Sequence, residues 1–167
     1  SLCKHDLVSE IVFEFPELQG IMGSKYLIHE NYSREIALGV LEHYLPRGAD
    51  DQLPSSCIGS LLALSERLEL LLSIFSKGER PTGSSDPYAL RRSGNGFLQI
   101  IWNNHWHFNL CNILDIAINH WSITLANLEV NKDKLRNDLL EFFRQRISNL
   151  LEENGYDLDI IQSVCGD

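Results

Sequence analysis

The chain has 167 residues, a net charge of −9 at pH 7, 44% hydrophobic and 22% charged residues. That length suits one domain, or one domain with an appendage, burying about 70% of the unfolded surface, and the composition is that of an ordinary globular protein. The acidic balance argues against a dedicated nucleic-acid binder with a basic footprint, while leaving room for a local basic patch, and no apolar run approaches the ~20 residues of a membrane span.

The start, Ser1-Leu-Cys-Lys-His-Asp6, has neither an initiating Met nor the layout of a signal peptide, so the sequence reads as a segment of a longer chain. Leu7, Val8, Ile11, Val12 and Phe15 follow at helical spacing over residues 5–14 until Pro16 breaks the pattern. Gln19-Gly-Ile-Met-Gly23, with two glycines, reads as a compact connector. Ser33 predicts the N-cap of a helix carrying Ile36, Val40, Leu41 and Tyr44 and stopping at Pro46. Ile58 to Phe75 is the strongest helical pattern, apolar on most sides and therefore expected at a domain centre.

Asp86-Pro87 predicts a helix start with proline in the first turn, the helix running to about Asn104 and weakened by Gly94 and Gly96. Trp106, Phe108, Leu110, Ile113, Ile116, Ala117, Trp121 and Ile123 suggest a further helix with an aromatic face. Asn131 to Glu153 is a long amphipathic helix stopped by Gly155, and Asp157 opens a short one over Leu158–Cys165. With no convincing period-2 strand, the expected fold class is all-α. Cys3, Cys57, Cys111 and Cys165 are too scattered for a Cys-x-x-Cys metal site and are expected as separate thiols.

Few side chains carry an evident chemistry. His5-Asp6 resembles the paired metal ligands of the HD phosphohydrolase superfamily, in which a divalent ion activates water. Glu66, in Leu64-Ser-Glu-Arg-Leu68, falls where that superfamily's downstream Asp would stand, so His5, Asp6 and Glu66 mark degenerate positions and no metal is expected. His105 and His107 are two apart and cannot face each other on a helix; His29, His43 and His120 are isolated and expected at the surface or hydrogen-bonded. Glu14, Glu17 and Glu42 lie near loop ends and read as caps or ion-pair partners. Arg91-Arg92, with Lys77 and Arg80, would form a positive patch suited to phosphate, unless carboxylates inside the fold absorb it. Lys132, Lys134, Arg136, Arg144 and Arg146 alternate with Asp133, Asp138, Glu141, Glu152 and Glu153 and read as a solvated helix face.

Three segments stand out: Glu14-Phe-Pro-Glu-Leu-Gln-Gly-Ile-Met-Gly23, Glu42-His-Tyr-Leu-Pro-Arg47 and Pro81-Thr-Gly-Ser-Ser-Asp-Pro-Tyr-Ala-Leu-Arg-Arg92. In this order and spacing the chain resembles the beta subunit of bacterial-type glycyl-tRNA synthetase. The resemblance runs from about Lys4 to Val164 and is densest before Arg92. Ser65-Glu66 and Ser93-Gly-Asn-Gly96 depart from the family pattern.

The resemblance implies an HD-like helical domain over 1–125 and a helical extension, or the start of a linker, over 126–167. It implies an α2β2 assembly whose alpha subunit makes glycyl-adenylate with ATP and Mg²⁺, this segment carrying no active site or cofactor. The implied partners are tRNA(Gly), the remainder of the beta subunit and the alpha subunit, with neither membrane nor DNA, in bacterial cytoplasm or a plastid. The expected role is to position tRNA(Gly) by phosphate contact, with Lys77, Arg80, Arg91 and Arg92 as candidate tRNA-binding residues. Two other readings stay open: an HD-class phosphohydrolase, and a docking module with an apolar surface around Trp102, Trp106 and Trp121 and with Arg91 and Arg92 paired internally.

Overall fold

The computed structural model describes residues 2–124 and 130–165. Among them the fold is all-α, with no strand beyond one bridge between Thr82 and Ser85. The chain divides into two compact units, Ser1–Glu66 and Arg67–Asp167. The boundary expected at 125/126 lies outside the described residues.

In the first unit the N-terminal stretch is not the continuous helix that its spacing suggests. A 3-10 segment, Leu2–Val8, breaks at Lys4, and Ser9 then caps a short helix α1, Glu10–Glu14, by accepting from the Val12 amide at 3.4 Å. Ser9 also donates its hydroxyl to the Asp6 carbonyl at 2.6 Å, so one side chain both ends the first segment and starts the second. The break rotates the apolar residues out of register: Val12 is buried, whereas Val8 is 90% and Phe13 88% exposed.

The expected connector at 19–23 is instead the start of a helix, α2, Ile21–His29, with Gly20 at its N-cap. Gly20 has φ +80° and its missing side chain faces the Tyr44 ring at 2.8 Å, so glycine is required twice over at this position. Gly23 sits inside α2 because Asp6 and Val40 press against it. Asn31, at φ 65°, closes α2: its amide bonds to Ile28 O and the next amide, of Tyr32, to Leu27 O. Helix α3, Arg34–Glu42, begins at Ser33 as expected, the hydroxyl accepting from Ile36 N at 3.3 Å. Leu27, Ala37 and Val40 form the buried seam between α2 and α3.

Helix α4, Cys57–Ser76, supplies its first ten residues to the first unit and the rest to the second. Its apolar coat is not uniformly buried: Ala63, Leu64, Leu71, Leu72, Ile74 and Phe75 are inside, while Ile58 and Leu61 face solvent.

In the second unit α5, Leu90–Asn103, starts four residues after Asp86, because Pro87–Ala89 first makes a turn ending at Ala89 in the left-handed region, φ 52°. Asp86 still supplies the cap from that distance, accepting from Leu90 N at 2.7 Å and Arg91 N at 2.9 Å. At the other end His105, at φ 53°, donates its amide to Trp102 O, and Trp106 donates to Ile101 O. That pair of bonds is a Schellman closure with His in the usual glycine position.

Helix α6, Leu110–Thr124, is opened by the Asn109 side chain rather than by the aromatic run before it. Helix α7, Lys132–Glu153, has Asn131 at its N-cap and Gly155 at its stop, both as the sequence predicts; α8, Leu158–Cys165, follows Asp157. The core of this unit is aromatic: Phe75 meets Phe142 edge-on at 5.2 Å, Phe142 meets Phe143, and Phe143 meets Phe97 at 5.2 Å. Gly94 lets α5 approach this cluster, since a Cβ there would lie 2.7 Å from the Phe142 ring.

Candidate functional site

Two groups of polar side chains merit a functional reading, one in each unit. In the first unit Lys4 and His43 meet Glu66, with the Asp6 charge acting on His43, while Glu42 forms a separate cluster with Ser55 and Ser56. Asp6 is fully buried; its Oδ2 accepts from Gly20 N at 2.6 Å, and its Oδ1 has no hydrogen-bond partner among the described residues. His43 is 2% exposed, with Nδ1 bonded to Val40 O at 2.7 Å and Nε2 3.4 Å from Glu66 Oε2. It is thus the hydrogen-bonded, buried histidine that sequence left among isolated ones, while His29 and His120 are exposed. Burial above all holds the His43 imidazole below its ordinary pKa; Val40 O and Glu66 pull the other way and Lys4 adds to the lowering.

The Lys4 ammonium contacts Glu66 Oε1 and stands 5.2 Å from the Tyr44 ring centroid. A cation is therefore already built into the place where a divalent ion would need Glu66, and Asp6 already has one oxygen on a backbone amide. Among the described residues no three His, Cys, Asp or Glu side chains converge as a metal-holding group. His105 and His107 are both exposed, the first serving as the α5 terminator.

Glu42 is 6% exposed and fully satisfied: Oε1 accepts from the Ser55 amide at 3.0 Å and hydroxyl at 2.6 Å, and Oε2 from the Ser56 amide at 2.9 Å and its hydroxyl. Ser56 Oγ in turn accepts from Gly59 N at 3.0 Å, so the carboxylate at the end of α3 organises the first turn of α4. Burial alone would raise the Glu42 pKa; the four hydrogen bonds to the charged form outweigh it, and the net direction is down. Glu14 and Glu17 are exposed, so the three carboxylates do not meet as an acid–base pair.

In the second unit the four candidate cations separate. Arg80 is turned inward, its guanidinium on Asp138, on Phe75 O at 2.9 Å and 4.2 Å over the Phe75 ring. Lys77 is exposed just beyond α4. Arg92 is exposed and Arg91 half-buried, and neither has a carboxylate within 4 Å among the described residues, although Asp86 caps the Arg91 amide. Much of the α7 charge is paired, as a solvated face would be: Arg136 bonds Asp115 at 2.6 Å, and Arg144 lies 3.7 Å from Glu141.

Arg146 departs from that pattern. It falls on the buried stripe of α7, four residues from both Phe142 and Leu150, and its Nε is hidden with no acceptor among the described residues. With the Asn149 amide turned to satisfy both its groups, the Asn149 oxygen accepts from Arg146 Nη2 at 3.1 Å. Burial first, and then the charge of Arg91, lower the proton affinity of Arg146, against Asp86 and Glu153. Sequence reasoning placed Arg146 on the solvated face; the signal against this was its position in the Leu135, Leu139, Phe142, Leu150 series at helical spacing.

Beyond α5, an open groove of about 760 Å³ is lined by Trp102, His105, Trp106, Phe108, Leu110 and Ile147. Trp102 and Phe108 are exposed there, whereas Trp121 is half-buried and does not line the groove. No helix among the described residues is long and apolar enough to cross a membrane.

Comparison with known proteins assigns the chain. A family model described as glycyl-tRNA synthetase beta subunit matches residues 1–166. Proteins named glycine–tRNA ligase beta subunit are 44% identical in Acaryochloris marina over 99% of this chain, 43% in Moorella thermoacetica over 97%, and 38% in Psychromonas ingrahamii over 98%. In each case the chain spans 23% of the relative's length. The motif segments, the all-α fold and the match over nearly every residue agree: this chain belongs to the glycyl-tRNA synthetase beta-subunit family.

Proposed function

We propose that this chain is a non-catalytic helical module of a glycine–tRNA ligase, and that it helps to hold tRNA(Gly) while the alpha subunit attaches glycine. On this reading ATP and Mg²⁺ act on the alpha subunit, and the present residues contribute placement. Holding a reactant in position is itself worth large rate factors, so a module without reacting groups has a use in catalysis. Contact with phosphate fixes orientation without reading sequence, and arginine suits it because its planar fork donates two parallel hydrogen bonds.

The observation that carries the reading is the contrast among arginines. Arg80 and Arg136 are bound to carboxylates of the second unit, whereas Arg91 and Arg92, at the start of α5, have no carboxylate within 4 Å among the described residues. Asp86 neutralises the amide end of α5 yet leaves both guanidinium groups to an outside anion. Lys77 is exposed and joins this reading; Arg80 does so only through its hold on Asp138.

The test is the affinity of the complete synthetase for tRNA(Gly) at two salt concentrations, with Arg91→Ala/Arg92→Ala alongside. The reading requires salt-sensitive binding that the double variant weakens more at low salt than at high. Equal affinity of the two proteins at both salts would refute it and leave a module that docks other parts of the synthetase.

A further inference from the structure

Arg91 sits in the first turn of α5, and Arg146 lies across from it on α7. Gly94, one turn along from Arg91, brings the two helices together there: a Cβ on Gly94 would lie 3.3 Å from Arg146 Cγ and 2.7 Å from the Phe142 ring. The Arg146 guanidinium stands 6.0 Å from the Phe142 centroid, so its stem is packed and its head is held in one region. The stems of the two arginines are thus neighbours across the α5–α7 seam, and the charge of Arg91 acts on Arg146. Neither has a carboxylate within 4 Å among the described residues, and the nearest acid on the α5 side, Asp86, is engaged by two backbone amides. Asp86 and Glu153 offset this repulsion at Arg146 without pairing directly with it, and a phosphate would meet both positive charges at once.

We infer that Arg91 and Arg146 form a two-pronged anion site that grips one phosphate of a nucleic-acid backbone, with the exposed Arg92 beside it. The inference rests on the phosphate-contacting role proposed above and adds to it a residue and a geometry. Arg146 is the anchored prong, preorganised by Phe142 and the Asn149 amide; Arg91 is the freer prong. Anchoring matters because a side chain already fixed loses little further entropy on binding.

The experiment measures tRNA(Gly) affinity of the complete synthetase across a salt series for Arg146→Met, Arg146→Lys, Arg91→Gln and the Arg91→Gln/Arg146→Met pair, with thermal unfolding of each. Methionine keeps an unbranched stem on Phe142 and removes the charge. Arg146→Met is expected to weaken binding about tenfold at low salt and to reduce the salt slope by about 0.7–0.9, the value of one phosphate. The double variant should lose no more slope than either single one, because one phosphate is shared. Arg146→Lys should restore the slope while binding less tightly than arginine.

An unchanged slope in Arg146→Met, with a reduced one in Arg91→Ala/Arg92→Ala, would overturn the two-pronged site and leave the broader reading intact. Unchanged slopes in all of them would overturn both. If Arg146→Met melts early, Arg146→Lys decides: wild-type affinity in that variant would show that no bidentate grip exists.

Discussion

The two units treat buried charge in opposite ways. In the first, Glu42 sinks into the fold and meets four donors, Asp6 takes a backbone amide, and Glu66 meets Lys4. Most of the charge there is answered from within, one oxygen of the buried Asp6 excepted, and its visible result is local structure: the start of α4 and the turn at Gly20. In the second, Arg146 packs against the aromatic core beside Arg91 with no carboxylate within 4 Å among the described residues, Asp86 and Glu153 acting on it only from further away. A charge satisfied inside the fold explains itself, whereas one held in place and left unanswered points outward to a ligand. That is why the HD-like positions, though first to draw attention in the sequence, are the weaker functional candidates.

Removing the acceptor that joins α3 to α4 should have the largest effect on stability. Glu42→Ala leaves the Ser55 and Ser56 amides without their partner and should cost roughly 2–4 kcal/mol, read from urea unfolding. A loss under about 0.5 kcal/mol would mean that water replaces the carboxylate and that the first unit's charge is not internally committed.

Next comes the close approach of α5 to α7. Gly94→Val should cost about 2 kcal/mol by overpacking against Phe142, and should also displace Arg146. If that variant loses stability but keeps wild-type tRNA affinity, the contrast between the units fails on the second side. Asp86→Ala should cost about 1 kcal/mol, since it uncaps Leu90 and Arg91, and should leave the guanidinium groups free to bind.

The smallest effect is one of pH. His43 has its folded pKa below its ordinary value, so the unfolded chain takes up a proton first as pH falls. Its contribution is fully present above the unfolded value, about 6.5, and is lost as pH drops toward the lower folded value. The Glu42 contribution is likewise present above its unfolded value and lost at lower pH, as the pH falls through its depressed folded pKa. Between pH 7 and 5.5 the stability of wild type should therefore decline, and His43→Gln should flatten that decline; an equal slope in both would show that His43 does not titrate with unfolding.

Much of the fold was legible in the sequence because its signals are local. Ser33, Asn131 and Gly155 start or stop helices through hydrogen bonds to residues three or four away, and the α4 and α7 patterns run long enough to fix element type. The glycines misled. Gly20 and Gly23 read as a connector, yet one is a cap and the other an interior helical residue whose smallness serves Asp6 and Val40, side chains far away in the sequence.

The family, too, was decided by sequence, through Phe15-Pro-Glu-Leu-Gln-Gly, Glu42-His-Tyr-Leu-Pro-Arg and Pro87-Tyr-Ala-Leu-Arg-Arg, because such segments are recognised without knowing what they touch. Only the tertiary structure decided which charges are already answered. Whether a guanidinium is taken depends on carboxylates tens of residues away, such as Asp138 for Arg80 and Asp115 for Arg136. Arg146 belongs to the same class of fact: the sequence read it as part of the solvated face of α7, and only the packing of α7 against Gly94 brought it beside Arg91.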